Sequence, residues 1–290
     1  MREQTEALTM PFDPASQDVG NIVSLEHVNL TVPNQETATD FYIDGLGLTR
    51  DPYLMAGTDN MWVNCGRHQF HLPKGDAQRW RGCIGLRLPC LDALEKRLGR
   101  IAPKLEGSLF RWQRKSPKRL DLRCPWGNRF RIHGDDAKGR AAGTCISGKR
   151  PTSPALVYLE MPVRQGDAAK IEHFYRKFLK APGRTEKGRA SINAGPGQQL
   201  IFVEQAQAIE DEYDGHHFAI YIADFSGTYH ALAERGLITD IDNAWQFRFI
   251  DIGSGRNAKP LFRVEHEVRS LNHPLYQRAL VNRLPEEPIL

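Results

Sequence analysis

Glu26-His27-Val28-Asn29-Leu30-Thr31-Val32-Pro33-Asn34 is the stretch on which the reading of this chain turns. Its residues alternate. His27, Asn29 and Thr31 fall on one face of a strand, and Val28, Leu30 and Val32 on the other. An apolar back with a histidine on a polar front describes a half-buried sheet whose open face holds a ligand or a metal. The pattern returns, altered, at His216-His217-Phe218-Ala219-Ile220-Tyr221-Ile222-Ala223-Asp224. In both, an Asn or Asp follows the aligned histidine by seven residues, and a helix begins soon after. The same device used twice points to duplication, and duplication sets the architecture.

Working outward, four units of strand, helix and further strands emerge. The first runs from about Asn21 to Lys74, with a helix over Glu36 to Gly45 that carries Phe41-Tyr42 and closes at Leu46-Gly47-Leu48. Strands follow around Met61-Trp62-Val63 and Gln69-Phe70-His71-Leu72. In the second, Cys83 to Cys90 overlays the opening strand, Leu91 to Leu98 is the helix and Asn128 to His133 the final strand. Gly134 to Pro154, rich in Gly, Ala, Ser, Lys and Pro, reads as a linker. The third opens at Leu156 to Val163 and repeats the aromatic pair as Phe174-Tyr175 in a helix over Ala168 to Leu179. Its strands lie near Ala190-Ser191-Ile192 and Gln199 to Glu204. The fourth opens at His217, with a helix over Thr228 to Arg235 and strands near Gln246 to Ile252 and Leu261 to Val268.

Bulk properties narrow the class. A chain of 290 residues with 40% apolar and 26% charged residues reads as a soluble globular protein with one large core or two ordinary ones. No apolar run approaches the roughly 20 residues that span a membrane. The polar stretch Met1 to Gly20 has no apolar signal core, so a cytoplasmic protein is expected. The net charge of +4 is mild, and its cluster from Arg111 to Arg131 reads as a solvated face rather than a nucleic-acid surface. Five cysteines at irregular spacings, with no CxxC pair, fit free thiols in a reducing compartment.

Four βαβββ units in tandem, carrying His27-Val28-x-Leu30-x-Val32, then Phe41-Tyr42, then Leu46-Gly47-Leu48, resemble the vicinal oxygen chelate superfamily. That superfamily includes glyoxalase I, methylmalonyl-CoA epimerase, extradiol dioxygenases and the fosfomycin- and bleomycin-resistance proteins. The resemblance covers about residues 21 to 268 and is strongest in the first unit. It implies an α+β fold of four βαβββ modules in two cupped mixed β-sheets. Along the sequence this gives a tail at 1–20, a first domain at 21–135, a linker at 136–153, a second domain at 154–270 and a tail at 271–290.

The resemblance also implies metal ligands on the first and last strands of each unit. His27 and Gln69 hold those positions in the first unit, and His217 and Glu265 in the fourth. The second holds Cys83 and Arg131. The third closes at Leu200 and opens at Leu156 by strand alignment or at Glu160 by counting back from the helix. The outer units keep ligands that the inner ones have lost, and Arg131 would repel a cation. Units one and four are therefore expected to share one cup. Cys83, Arg129, Arg131, Tyr158 and Glu160 would gather in the other, read as a decayed supporting copy in preference to a metal-free anion pocket. Glu267 and His71 are candidate bases, and Arg269, His273 and Tyr276 candidate substrate contacts from the segment after the last strand.

Imidazole and oxygen donors suit a divalent Fe, Ni, Co, Mn or Zn ion. Two histidines and a carboxylate leave positions open for a substrate with two adjacent oxygens. The resulting expectation is a metal-dependent lyase or isomerase, resembling glyoxalases and epimerases, that stabilises an enolate of a small metabolite. An Fe(II) dioxygenase on His27, His217 and Glu265 is the alternative, and a non-catalytic small-molecule-binding protein the third. A small-molecule substrate is expected as partner, with no nucleic acid or membrane. A homodimer is compatible with the sequence.

Overall fold

In a computed structural model, the structure describes residues 17–54, 58–134, 154–206, 213–255 and 257–283. The expected linker at 136–153 lies outside them. Each unit follows one order. The first is β1 (Ile22–Asn29), α1 (Gln35–Ala38) continued by a π-helical stretch over Thr39–Gly45, β2 (Thr49–Arg50), β3 (Asn60–Cys65) and β4 (His68–Pro73). The second is β5 (Cys83–Leu88), α2 (Leu91–Ile101), β6 (Arg111–Ser116), β7 (Arg119–Arg123) and β8 (Arg129–Gly134). The third is β9 (Ala155–Arg164), α3 (Ala168–Phe178), β10 (Gly183–Glu186), β11 (Arg189–Asn193) and β12 (Gln199–Gln205). The fourth is β13 (His217–Ile222), α4 (Phe225–Ala233), β14 (Ile238–Asn243), β15 (Gln246–Ile252) and β16 (Phe262–Ser270).

The residue seven places after each aligned histidine starts the helix. Asn34 accepts a hydrogen bond from the Thr37 amide, and Asp224 from the Gly227 amide. Both satisfy a donor that the first helical turn leaves unpaired. The repeated motif is thus a strand register tied to a helix cap.

Two eight-stranded mixed sheets result. The outer sheet runs β14-β15-β16-β13-β1-β4-β3-β2 and the inner β10-β11-β12-β9-β5-β8-β7-β6. Unit one shares a sheet with unit four, and unit two with unit three. Each of the sequence segments 21–135 and 154–270 gives one unit to each sheet. At the outer seam β1 runs antiparallel to β13, while β4 and β16 flank them in parallel.

The apolar backs of the sheets meet through the helices. Phe41 and Tyr42, fully buried on the first helix, pack on Phe130 of the inner sheet at ring distances of 5.7 and 6.3 Å. Phe174 of α3 packs on Phe249 of the outer sheet at 6.1 Å, and the Tyr175 hydroxyl bonds His266 Nε2 at 2.6 Å. His266 donates its other nitrogen to the Val264 carbonyl at 2.9 Å. Burial holds the ring neutral, pushing its pKa down to about 3. Each such aromatic contributes roughly 1.5–3 kcal/mol through burial. With the helices between the sheets, the two cups open away from each other.

The register of β1 shifts just ahead of His27. Leu25 pairs with Ile220 but His27 with Ala219, so Glu26 is an extra residue in a β-bulge. β4 pairs with β1 only from His27 onward. At Leu25 the side chain of Gln198, from the third unit, takes over: its oxygen accepts from the Leu25 amide at 3.0 Å and its Nε2 donates to the Leu25 carbonyl at 2.8 Å. A buried backbone edge is thereby satisfied across the two sheets.

One thiol expectation is corrected. Cys65, Cys83 and Cys124 are free and buried, but Cys90 is disulfide-bonded. Cysteine count and spacing do not show which thiol is paired, because connectivity depends on the fold rather than the spacing. No helix among the described residues is long and apolar enough to cross a membrane.

Candidate metal centre

His27, Ala219 and Glu267 form one row across three strands, since His27 pairs with Ala219 and Ala219 with Glu267. The small side chain of Ala219 leaves room above the sheet between its two neighbours. His217 enters the same space from two residues earlier on β13. One donor atom each from His27, His217 and Glu267 lie within 4.8 Å of one another. Ligand bonds of about 2.0–2.2 Å place donors around one ion up to roughly 4.4 Å apart. The cluster needs only a small contraction to hold one.

The bulge supplies the support. Glu26 and His27 both turn toward the cup, and the Glu26 carboxylate contacts His27 Nδ1. A carboxylate only accepts, so Nδ1 carries the proton and Nε2 keeps its lone pair. That Nε2 is buried and has no hydrogen-bond partner among the described residues. A buried orphan acceptor on a fully buried imidazole, oriented by a carboxylate, is the arrangement of a metal ligand with its outer partner. Replacing Glu26 by Gln is expected to weaken metal binding roughly 10–100-fold with the fold intact. Metal titration alongside circular dichroism measures both.

His217 places Nε2 3.4 Å from Glu267 and Nδ1 3.5 Å from Glu265. Burial lowers its pKa and keeps it neutral, as a ligand must be. Glu267 is nearly buried, and burial alone would raise its pKa. His217, His27, Arg269 and Arg248 outweigh burial and hold it well below the usual carboxylate range. Arg248 lies 2.7 Å and Arg269 2.5 Å from its oxygens. Arg269 also reaches Glu26 at 3.2 Å, and Arg248 pairs with Glu265. Asp242 also pairs with Arg248 at 2.8 Å, so four carboxylates (Glu26, Asp242, Glu265, Glu267) against two guanidiniums (Arg248, Arg269) leave the network net negative, as a site for a divalent cation requires.

The structure distributes the other sequence candidates around this cluster. Gln69 is in register with His27 but donates its Nε2 to Asn64 at 2.7 Å and Asp51 at 3.1 Å; its amide oxygen takes part in neither contact. Glu265, expected as the carboxylate ligand, lies outside the cluster, and Glu267, expected as a base, stands within it. The His217 ring explains the exchange. Its Cα is level with Glu265, yet its far nitrogen reaches one pleat on, to Glu267. His71 stacks on Trp62 at 3.9 Å, bonds Asn60 and lies 5.9 Å from the His27 ring. Burial, with His27 and His217 adding to it, pushes the His71 pKa down to about 2. Arg269 bonds the Tyr221 hydroxyl at 3.4 Å, and the rings of His273 and Tyr276 lie 6.0 and 4.9 Å from that of Tyr221. The chain then crosses to the first unit, where Arg278 pairs with the buried Asp51 at 2.7 Å and Asn64 donates to the Val281 carbonyl. His216 and His266 face the core, as alternation requires.

Sequence reasoning missed Glu26, Arg248 and Trp62. Strict alternation assigns Glu26 to the apolar face, and a bulge leaves no mark in one sequence. Arg248 had a faint signal, a charged residue inside the apolar run Phe247 to Ile252.

No family model and no curated protein matches this chain. Solved structures do. Glyoxalase I from Zea mays superposes with a TM-score of 0.56 at 14% identity, covering 87% of this chain and 93% of that one. A candidate dioxygenase from Bacillus subtilis gives 0.55 at 14% identity, covering 86% of each chain. The cppA protein of Streptococcus pneumoniae gives 0.51 at 13%, covering 87% of this chain and all of that one, at 100%.

Proposed function

We propose, from a chain that carries the vicinal oxygen chelate fold, that this protein is a metal-dependent enzyme acting on a small substrate with two adjacent oxygens. The convergence of His27, His217 and Glu267 on one buried point, with the His27 Nε2 unpaired, carries the reading. These three residues would hold a divalent ion of the Fe, Ni, Co, Mn or Zn group and leave positions for substrate. Bound there, the ion supplies Lewis acidity to a chelated carbonyl.

The reaction class we assign first is proton transfer next to that carbonyl, as in a lyase or isomerase. Glu267 is the cluster's own carboxylate and would take that proton through an oxygen not held on the ion, and the Gln69 amide oxygen is free to add a weak fourth contact from the strand beside His27. Arg248 and Arg269 fix Glu267 in place, and His217 and His27, with the two arginines adding to them, make it a weak base, which suits a substrate proton already acidified by chelation. His71, held neutral, packs the site through Trp62 rather than titrating near neutrality. Arg269, His273 and Tyr276 line the approach on the Tyr221 side.

One observation favours a second reading. Two imidazoles and one carboxylate, with Gln69 held by Asn64 and Asp51, are the donor set of Fe(II) oxygenases. Elemental analysis of protein purified without added metal, repeated after reloading with Zn²⁺ or Co²⁺, tests the metal reading; no stoichiometric ion in either sample would defeat it and leave a non-catalytic binding protein. With metal bound, exchange of substrate hydrogen for solvent deuterium supports the first reaction, and oxygen consumption on catechol-like substrates the second.

A further inference from the structure

The inner cup has no metal-binding cluster among the described residues, yet it is neither filled nor neutral. It encloses a cavity of about 550 Å³ lined by Arg111, Lys115, Arg123, Arg129 and Arg131. Two acids, Asp121 and Glu160, share the lining, and both are already engaged. Asp121 is held bidentately by Arg119 at 2.9 Å, and Glu160 by Arg131 and Arg189 at 3.4 and 3.3 Å.

The positive charges are placed by register. Arg111 pairs with Arg123 across one ladder and Arg123 with Arg129 across the next. Three guanidiniums therefore stand side by side on neighbouring strands, where like charges destabilise a sheet. Burial lowers the pKa of Arg123, and Arg111, Arg129 and Arg79 lower it further. Two residues on from Arg129 along β8, in the next row, Arg131 Nε is buried with no hydrogen-bond partner among the described residues. A supporting copy gains nothing from such a row. A polyanion between the strands would relieve the repulsion and engage the orphan donor.

We infer that the inner cup is a second, metal-independent site for a small molecule with two or more phosphate or carboxylate charges. The row spans two strand spacings, roughly 10 Å from Arg111 to Arg129, which matches a diphosphate or tricarboxylate better than a single anion. Concavity separates this from a nucleic-acid surface, which is open to a continuous strand.

The test uses full-length protein in metal-free buffer at constant ionic strength, titrated calorimetrically with pyrophosphate and with citrate. Saturable binding of one equivalent of either is expected, and the tighter of the two identifies the anion class. Arg129→Gln is expected to weaken it at least tenfold, while His217→Ala leaves it unchanged. Arg123→Gln separates binding from structure: without ligand it melts at or above the wild-type temperature, because repulsion is relieved, yet loses the ligand-induced rise. The inference is overturned by a chloride control that stabilises as well as pyrophosphate, by unaltered binding in Arg129→Gln, by an Arg123→Gln variant that melts lower, or by a single-stranded oligonucleotide that binds tighter than both anions.

Discussion

Loss of either imidazole is expected to empty the outer cup of metal. His27→Ala and His217→Ala each remove a direct donor from a three-residue cluster. Affinity should fall more than about 100-fold, beyond the 10–100-fold typical of an outer partner. The carboxylates give the sharper comparison. Glu267→Gln should behave like the histidine variants, since it belongs to the cluster and holds the Nε2 of His217 at 3.4 Å. Glu265→Gln should keep affinity within roughly tenfold, because Glu265 reaches the site only through His217 and Arg248. Equilibrium dialysis with one chosen ion, Zn²⁺ or Co²⁺, measures all four. The reverse order of the two carboxylates would return the ligand role to Glu265. Retention of metal by both histidine variants would remove the centre altogether.

That comparison also marks how far a single sequence carries. The strand openings were legible because alternation is local physics for β1 and β13, but the cap at Asp224 was not read: α4 starts at Phe225 and ends at Ala233, not over Thr228 to Arg235, because the Asp224 side chain takes the Gly227 amide and fixes the first turn there. The exchanged sheet partners were legible from chemistry, since ligand types survive in units one and four and an arginine stands in unit two. The strands β2, β6, β7, β10 and β14 were not. Arg111–Ser116 and Ile238–Asn243 lie at sheet edges with both faces mostly exposed. Without one buried face there is no period of two to read.

The carboxylate expected from the sequence and the one that stands in the cluster are one pleat apart on β16. Pairing register puts Glu265 level with His217, but an imidazole extends far enough to meet the next inward carboxylate. Glu26 was hidden for a different reason. Its place in the cup depends on one bulged residue between Leu25 and His27, stabilised from the other sheet by Gln198. Neither feature has a local signature, because both arise where distant segments meet.

The joint between the sheets should fail as one unit. Phe130 is buried on β8 and touches Phe41, Tyr42 and Phe70, so a residue of the inner sheet is packed by a helix and a strand from the first unit. Phe130→Ala removes that ring from a core that spans both cups, and is expected to cost roughly 3–5 kcal/mol. Chemical denaturation followed by intrinsic fluorescence reads the loss as a lower midpoint. The same variant probes how the cups depend on each other. Units one and four form the outer sheet, but the helix of unit one rests on the inner one. Metal bound at His27 and His217 should therefore raise the denaturation midpoint of Phe130→Ala, since binding to the native state alone stabilises by mass action. A variant that unfolds in two separate transitions, with only one shifted by metal, would show instead that the sheets fold independently and that the shared aromatic core is not what couples them.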